Sequence, residues 1–187
     1  MFFRNWNKDL FTIPNLLSLF RLTLIPVYMT IYLEGRPILA GGILALSCLT
    51  DLLDGWIARK FGMCTQLGKL LDPLADKATQ LSLIVCLSLR YPILESVLLL
   101  LIFKEAFQLA AGLFYLRRGQ VLTGALLMGK ICTAVLFLSL TLLLLAPDLS
   151  PAAVNLLAFS NLAVLSLSFL GYVHAYFGPG RYLQSIK

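Results

Sequence analysis

Four carboxylates stand within 26 residues of one another: Asp51, Asp54, Asp72 and Asp76, in the stretch "TDLLDGWIARKFGMCTQLGKLLDPLADK". Asp51 and Asp54 are three apart and Asp72 and Asp76 four apart, so on helices each pair shares a face, about one turn apart. Gly55 and Ala58 follow the first pair on that face, and Gly68 lies one turn before Asp72. Carboxylates cost roughly 2.5–3.5 kcal/mol each at mid-membrane on insertion scales, and less near the interface. Four together also repel one another and call for cations. Mg²⁺ or Mn²⁺, hard ions that prefer carboxylate oxygens, meet that need. Small neighbours leave room for a bulky ligand against the backbone, and Arg59 offers a planar fork to a phosphate. Carboxylates, metal, arginine and space together point to a diphosphate substrate.

The elements that carry these residues are membrane helices. The chain has 187 residues, 59% apolar and 13% charged, against about 45–50% and 25% for soluble domains. About 20 mostly apolar residues span a bilayer core, and six segments qualify, at about 14–33, 38–57, 71–89, 93–116, 125–146 and 152–173. The breaks "EGRP", "RYP", "RRGQVLTG" and "APDLSP" carry turn chemistry. The fold expected is all-α, a single polytopic membrane domain over 1–187. Residues 1–12, with Phe2, Phe3, Trp6 and Leu10 near a helical period among Arg4, Asn5, Asn7 and Lys8, suit an amphipathic helix in the headgroup plane. They lack the order of a cleaved signal.

The net charge is +6. In so apolar a chain a basic excess marks cytoplasmic loops and anionic headgroups, with no nucleic acid as partner. Arg4, Lys8, Arg59, Lys60, Lys69, Lys77, Arg117, Arg118, Arg181 and Lys187 fall on one side, and only Arg36 and Arg90 on the other. The first side is therefore expected to be cytoplasmic, with both termini and the four aspartates on it. Cys48, Cys64, Cys86 and Cys132 form no Cys-x-x-Cys pair and read as small buried hydrophobes. His174 has no evident metal-ligand partner.

The spacing Asp51-x2-Asp54-Gly55-x2-Ala58-Arg59-x8-Gly68-x3-Asp72-x3-Asp76 resembles, at every fixed position, the motif of the CDP-alcohol phosphotransferase family. "IPNLLSLFRLTLIP", "LDPLADK" and "GKICTAV" resemble its phosphatidylglycerophosphate synthase and cardiolipin synthase branch. The likeness covers about residues 12 to 140. It implies a six-helix fold, a homodimer, and a polar cavity opening at the cytoplasmic leaflet, in a bacterium the cytoplasmic membrane. It implies transfer of a phosphatidyl group from CDP-diacylglycerol to an alcohol, with release of CMP. Carried over by position, Asp51, Asp54, Asp72 and Asp76 would hold two Mg²⁺ or Mn²⁺ ions, and Asp76 would also be the general base on the acceptor hydroxyl. Asp51, Gly55, Ala58, Arg59 and Gly68 would hold the cytidine nucleotide. The reading from another class is an ion or metal transporter, whose pathway also needs intramembrane carboxylates.

The acceptor is less sharply written. Members that use glycerol 3-phosphate commonly carry Ala-Arg-Glu and a second arginine on the fourth helix, and Gly-Lys-x-Lys-Thr on the fifth. This chain has Lys104 in "FKE", Gly112 near the second arginine's place, and Lys130 in "GKICT" with Cys132 where a lysine would stand. Lys104, Lys130, Arg117 and Arg21 are the candidates to hold the acceptor's phosphate. Arg21, about two turns into the first apolar helix, either snorkels to the headgroups or points at a phosphate. Glycerol 3-phosphate is the expected acceptor by a narrow margin. Phosphatidylglycerol, giving cardiolipin, is the alternative, because a singly charged diester needs fewer cations.

Overall fold

In the computed structural model six long helices follow one another along the chain: α1 (Ile13–Leu33), α2 (Pro37–Phe61), α3 (Gly68–Ser88), α4 (Leu94–Arg117), α5 (Leu127–Leu145) and α6 (Pro151–Phe177). The structure describes residues 12–61, 68–122, 127–177 and 183–185. The expected headgroup helix over 1–12 lies almost wholly outside them. Prolines open α2 and α6 at their first positions, where the missing N–H costs nothing and the fixed φ suits a helix. Gly35 turns α1 into α2 at φ +79°, a left-handed conformation that a side chain would oppose.

Among the described residues, four helices contain stretches long and apolar enough to cross a membrane: Asn15–Leu33, Leu94–Arg117, Met128–Leu145 and Pro151–Phe177. The two expected spans outside these four are those bearing the aspartates. The stretch Pro37–Asp51 of α2 is apolar but shorter than a bilayer crossing, and α3 carries Lys69, Asp72, Asp76 and Lys77 in its first half. In α3 the polar chemistry is what weakens the membrane pattern. Surfaces agree with a lipid-facing exterior. Ile38 is 74% exposed and Leu156 70%, while Ser18, Arg21, Lys104, Asn161 and Ser168 are buried. Apolar residues outside and polar residues inside are what a hydrocarbon solvent selects. This is a membrane protein.

The chain divides into two compact units, Met1–Cys86 and Leu87–Lys187. In the first, α1 and α2 form a tightly packed helical hairpin. α1 also meets α3 in a regular ladder: Ser18 with Asp72, Arg21 with Asp76, and Tyr28 with Thr79 and Ser82. Partner numbers rise together, so α1 and α3 run parallel. In the second unit α6 packs on α4 and on α5. Phe103 and Phe107 of α4 meet Phe169 of α6 with ring centroids 5.4 and 5.1 Å apart. Tyr115 stacks on Tyr176 at 5.4 Å, within the range of favourable aromatic pairs. A two-stranded antiparallel ribbon, β1 (Gln120–Leu122) with β2 (Leu183–Ser185), joins the loop after α4 to the C-terminal segment. It is an addition to the all-helical expectation.

Candidate active site

Three of the four aspartates have described side chains, and all three are gripped by one face of α1. Ser18 and Arg21 are one turn apart on that helix. Ser18 Oγ donates to Asp72 Oδ1 at 2.7 Å. Arg21 Nη1 donates to Asp76 Oδ1 at 2.6 Å, and Arg21 Nη2 meets Asp51 Oδ1 at 2.5 Å. One guanidinium therefore spans carboxylates on α2 and α3 and brings them within a few ångströms of each other. These contacts are short and charge-assisted. The side chain of Arg21 is 2% exposed, while those of Asp51 and Asp76 are 42% and 59% exposed. The cation is enclosed and the carboxylates are partly exposed.

Each of these three aspartates is engaged through Oδ1. Oxygen donors of this kind suit a hard divalent ion. Yet among the described residues no three His, Cys, Asp or Glu side chains are grouped to hold one as they stand. Asp54, Gly55, Ala58 and Arg59 belong to α2 by backbone, and their side chains lie outside the described residues. Gly68 begins α3, buried, one turn before Asp72. The donor chemistry fits a divalent cation. The charge between Asp51 and Asp76 is Arg21's.

The structure assigns the acceptor candidates different surroundings. Arg21 lies on the aspartates. Lys104 is buried on α4, its ammonium 2.9 Å from Glu105 Oε1 and 5.9 Å from the centre of the Tyr172 ring. Lys130 and Arg117 are exposed. At Gly112, near the place of the second arginine, a β-carbon would lie 3.5 Å from the Tyr176 hydroxyl, so an aromatic wall flanks that spot. Cys132 is buried. Sequence reasoning missed Ser18, Glu105 and Tyr172. Tyr172 fits so closely against Gly129 that a β-carbon there would meet its hydroxyl at 2.5 Å. A small residue beside Lys130 was the only available signal. A cavity of about 230 Å³ lined by Arg90, Tyr91, Leu149 and Asn155 holds no carboxylate, and Arg90 is bonded to the Pro147 carbonyl at 3.0 Å.

Residues 11–171 match the family described as CDP-alcohol phosphatidyltransferase. A rat protein described as cardiolipin synthase (CMP-forming) is 46% identical over 57% of this chain and 35% of its own length. A Streptomyces coelicolor protein with the same description is 36% identical over 72% of this chain and 66% of its own. A Bacillus subtilis protein described as CDP-diacylglycerol–glycerol-3-phosphate 3-phosphatidyltransferase is 31% identical over 73% of this chain and 78% of its own. The chain spans between 19% and 55% of the length of several other curated relatives it matches.

Proposed function

The chain belongs to the CDP-alcohol phosphatidyltransferase family, and from that premise we propose that it makes phospholipid by transferring the phosphatidyl group of CDP-diacylglycerol to a glycerol-based alcohol, releasing CMP. The observation that carries this reading is the gathering of Asp51, Asp72 and Asp76 around one buried polar face of α1. In an apolar bundle such an expense marks a functional site.

Asp51, Asp54, Asp72 and Asp76 would hold divalent cations, on which the family generally depends, and which when bound would draw charge from the diphosphate and favour departure of the nucleotide. Arg59 pairs with the diphosphate, and Gly55, Ala58 and Gly68 leave space for the cytidine. The acceptor hydroxyl oxygen attacks the phosphorus that bears the diacylglycerol, and the bond from that phosphorus to the CMP oxygen breaks. Asp76 takes the hydroxyl proton. Its described contact engages Oδ1, and its exposure leaves the other oxygen accessible.

For the acceptor, the surroundings of the second unit's cations move phosphatidylglycerol ahead of glycerol 3-phosphate. A phosphate monoester dianion wants several charge-assisted donors. Here Glu105 already neutralises Lys104, aromatic Tyr176 flanks Gly112, and buried Cys132 replaces a lysine. The higher identities to proteins described as cardiolipin synthases point the same way. Glycerol 3-phosphate keeps the support of the Bacillus relative.

The purified chain given CDP-diacylglycerol and each acceptor in turn decides. Cardiolipin and CMP should appear with phosphatidylglycerol. Phosphatidylglycerophosphate formed from glycerol 3-phosphate, with phosphatidylglycerol ignored, would reverse the order of acceptors. Ion flux in sealed vesicles with no CMP released would replace the enzyme by a transporter. The proposed setting is the cytoplasmic membrane, with the aspartates at its cytoplasmic face and the chain as a homodimer.

A further inference from the structure

Proton transfer and metal binding as proposed leave Arg21 without a part. Yet it is the buried group that ties two aspartates together, with Nη2 on Asp51 and Nη1 on Asp76. A buried charge is tolerated when paired, and removing its partner is strongly destabilising. The pairing here is lopsided. The cation is enclosed and both carboxylates are partly open, so the anions can change partner while the cation cannot leave.

We propose that Arg21 is the resident cation of the aspartate cluster. Without metal it neutralises Asp51 and Asp76 and holds them together, and a divalent ion then binds against its charge. This rests on the reading of the aspartates as metal ligands. Two effects of Arg21 on metal binding oppose each other. Orienting a ligand from behind typically strengthens metal binding by about 10–100-fold. A like charge one side chain away weakens it by more than that, even at the effective dielectric of a protein surface. The charge prevails. Ser18 is the internal control. It holds Asp72 by an uncharged hydroxyl, so its loss removes orientation and no charge.

The test uses the full chain purified in detergent and stripped with EDTA, with Mn²⁺ titrated by the electron paramagnetic resonance of the free ion and melting followed with and without Mn²⁺. Arg21→Gln should bind Mn²⁺ at least tenfold more tightly than the parent, melt several degrees lower in EDTA, and regain most of that loss with Mn²⁺. Ser18→Ala should bind Mn²⁺ no more tightly than the parent. Equal or weaker Mn²⁺ binding by Arg21→Gln, or an unchanged melting point in EDTA, overturns the proposal. Should Arg21→Gln fail to fold, Arg21→Lys keeps the charge but cannot span both carboxylates. It should melt lower in EDTA and bind Mn²⁺ within about twofold of the parent, and parental melting would overturn the proposal. Asp72→Asn tests the underlying reading separately. If it binds Mn²⁺ as the parent does, the metal site itself is wrong whatever Arg21→Gln shows.

Discussion

Replacing Gly129 by alanine adds one methyl group, and the structure says what that methyl meets. The new β-carbon would lie 2.5 Å from the Tyr172 hydroxyl and 3.2 Å from two carbons of its ring. Alanine in a helix gains about 0.5–1 kcal/mol over glycine, and the low end applies because Gly129 is the third residue of α5. Overpacking costs about 1–3 kcal/mol. Gly129→Ala should therefore lose roughly 0.5–2.5 kcal/mol net. Tyr172→Phe removes the hydroxyl and leaves the 3.2 Å contacts, which a small ring shift relieves. In that background the same alanine should cost close to nothing or stabilise slightly. The coupling between the two changes should then be about 1 kcal/mol or more, measurable as a double-mutant cycle from reversible unfolding in detergent. The same displacement moves the ring that lies 5.9 Å from the Lys104 ammonium, so the KM for the acceptor should rise in Gly129→Ala and recover in the double variant. Equal effects of Gly129→Ala in both backgrounds would refute the close fit.

EDTA should abolish CMP release and Mg²⁺ or Mn²⁺ should restore it, and full activity without a divalent ion would remove the proposed mechanism. Asp72→Asn should lose most activity, and because the amide oxygen can still accept from Ser18 its melting point should fall by little. Asp51→Asn should lose activity and stability together, since it leaves the buried Arg21 with weaker pairing. Cys132→Lys should melt lower than the parent, because its side chain starts from a position 2% exposed and would bury an ammonium. Lys130→Ala, at an exposed position, should change stability by no more than about 0.5 kcal/mol, and its effect should appear as a higher KM for the acceptor.

The helices were legible because apolar runs of bilayer length are a signal of composition, independent of what packs on them. Their observed ends differ from the expected ones by up to four residues, most where α2 runs on past Ile57 to Phe61 and α6 past Val173 to Phe177, since hydropathy falls there while the helix does not stop. The aspartates were legible because charge in such runs is conspicuous and their intervals are specific. The partner of Arg21 was not. Spacing within α1 puts residues 18, 21 and 28 on one face, but which residues of α3 face them depends on the relative slide of two helices, and no local pattern records it. The ribbon of β1 and β2 escaped for a related reason. Three-residue strands have too few alternations to show a period, and their pairing joins positions more than 60 residues apart.

The ladder between α1 and α3 also fixes what lengths α1 can have. One residue inserted between Arg21 and Tyr28 would turn the two rungs about 100° out of phase. Either the aspartates or Thr79 and Ser82 would keep their partner, and the other would lose it. Seven inserted residues restore the phase but lift Tyr28 by about 10 Å, past any partner in this register. Between these residues α1 is a ruler whose divisions are side chains. Beyond Leu33, where the chain turns through Gly35, no such rung is set among the described residues, so the hairpin between α1 and α2 is where this unit can absorb a change in length.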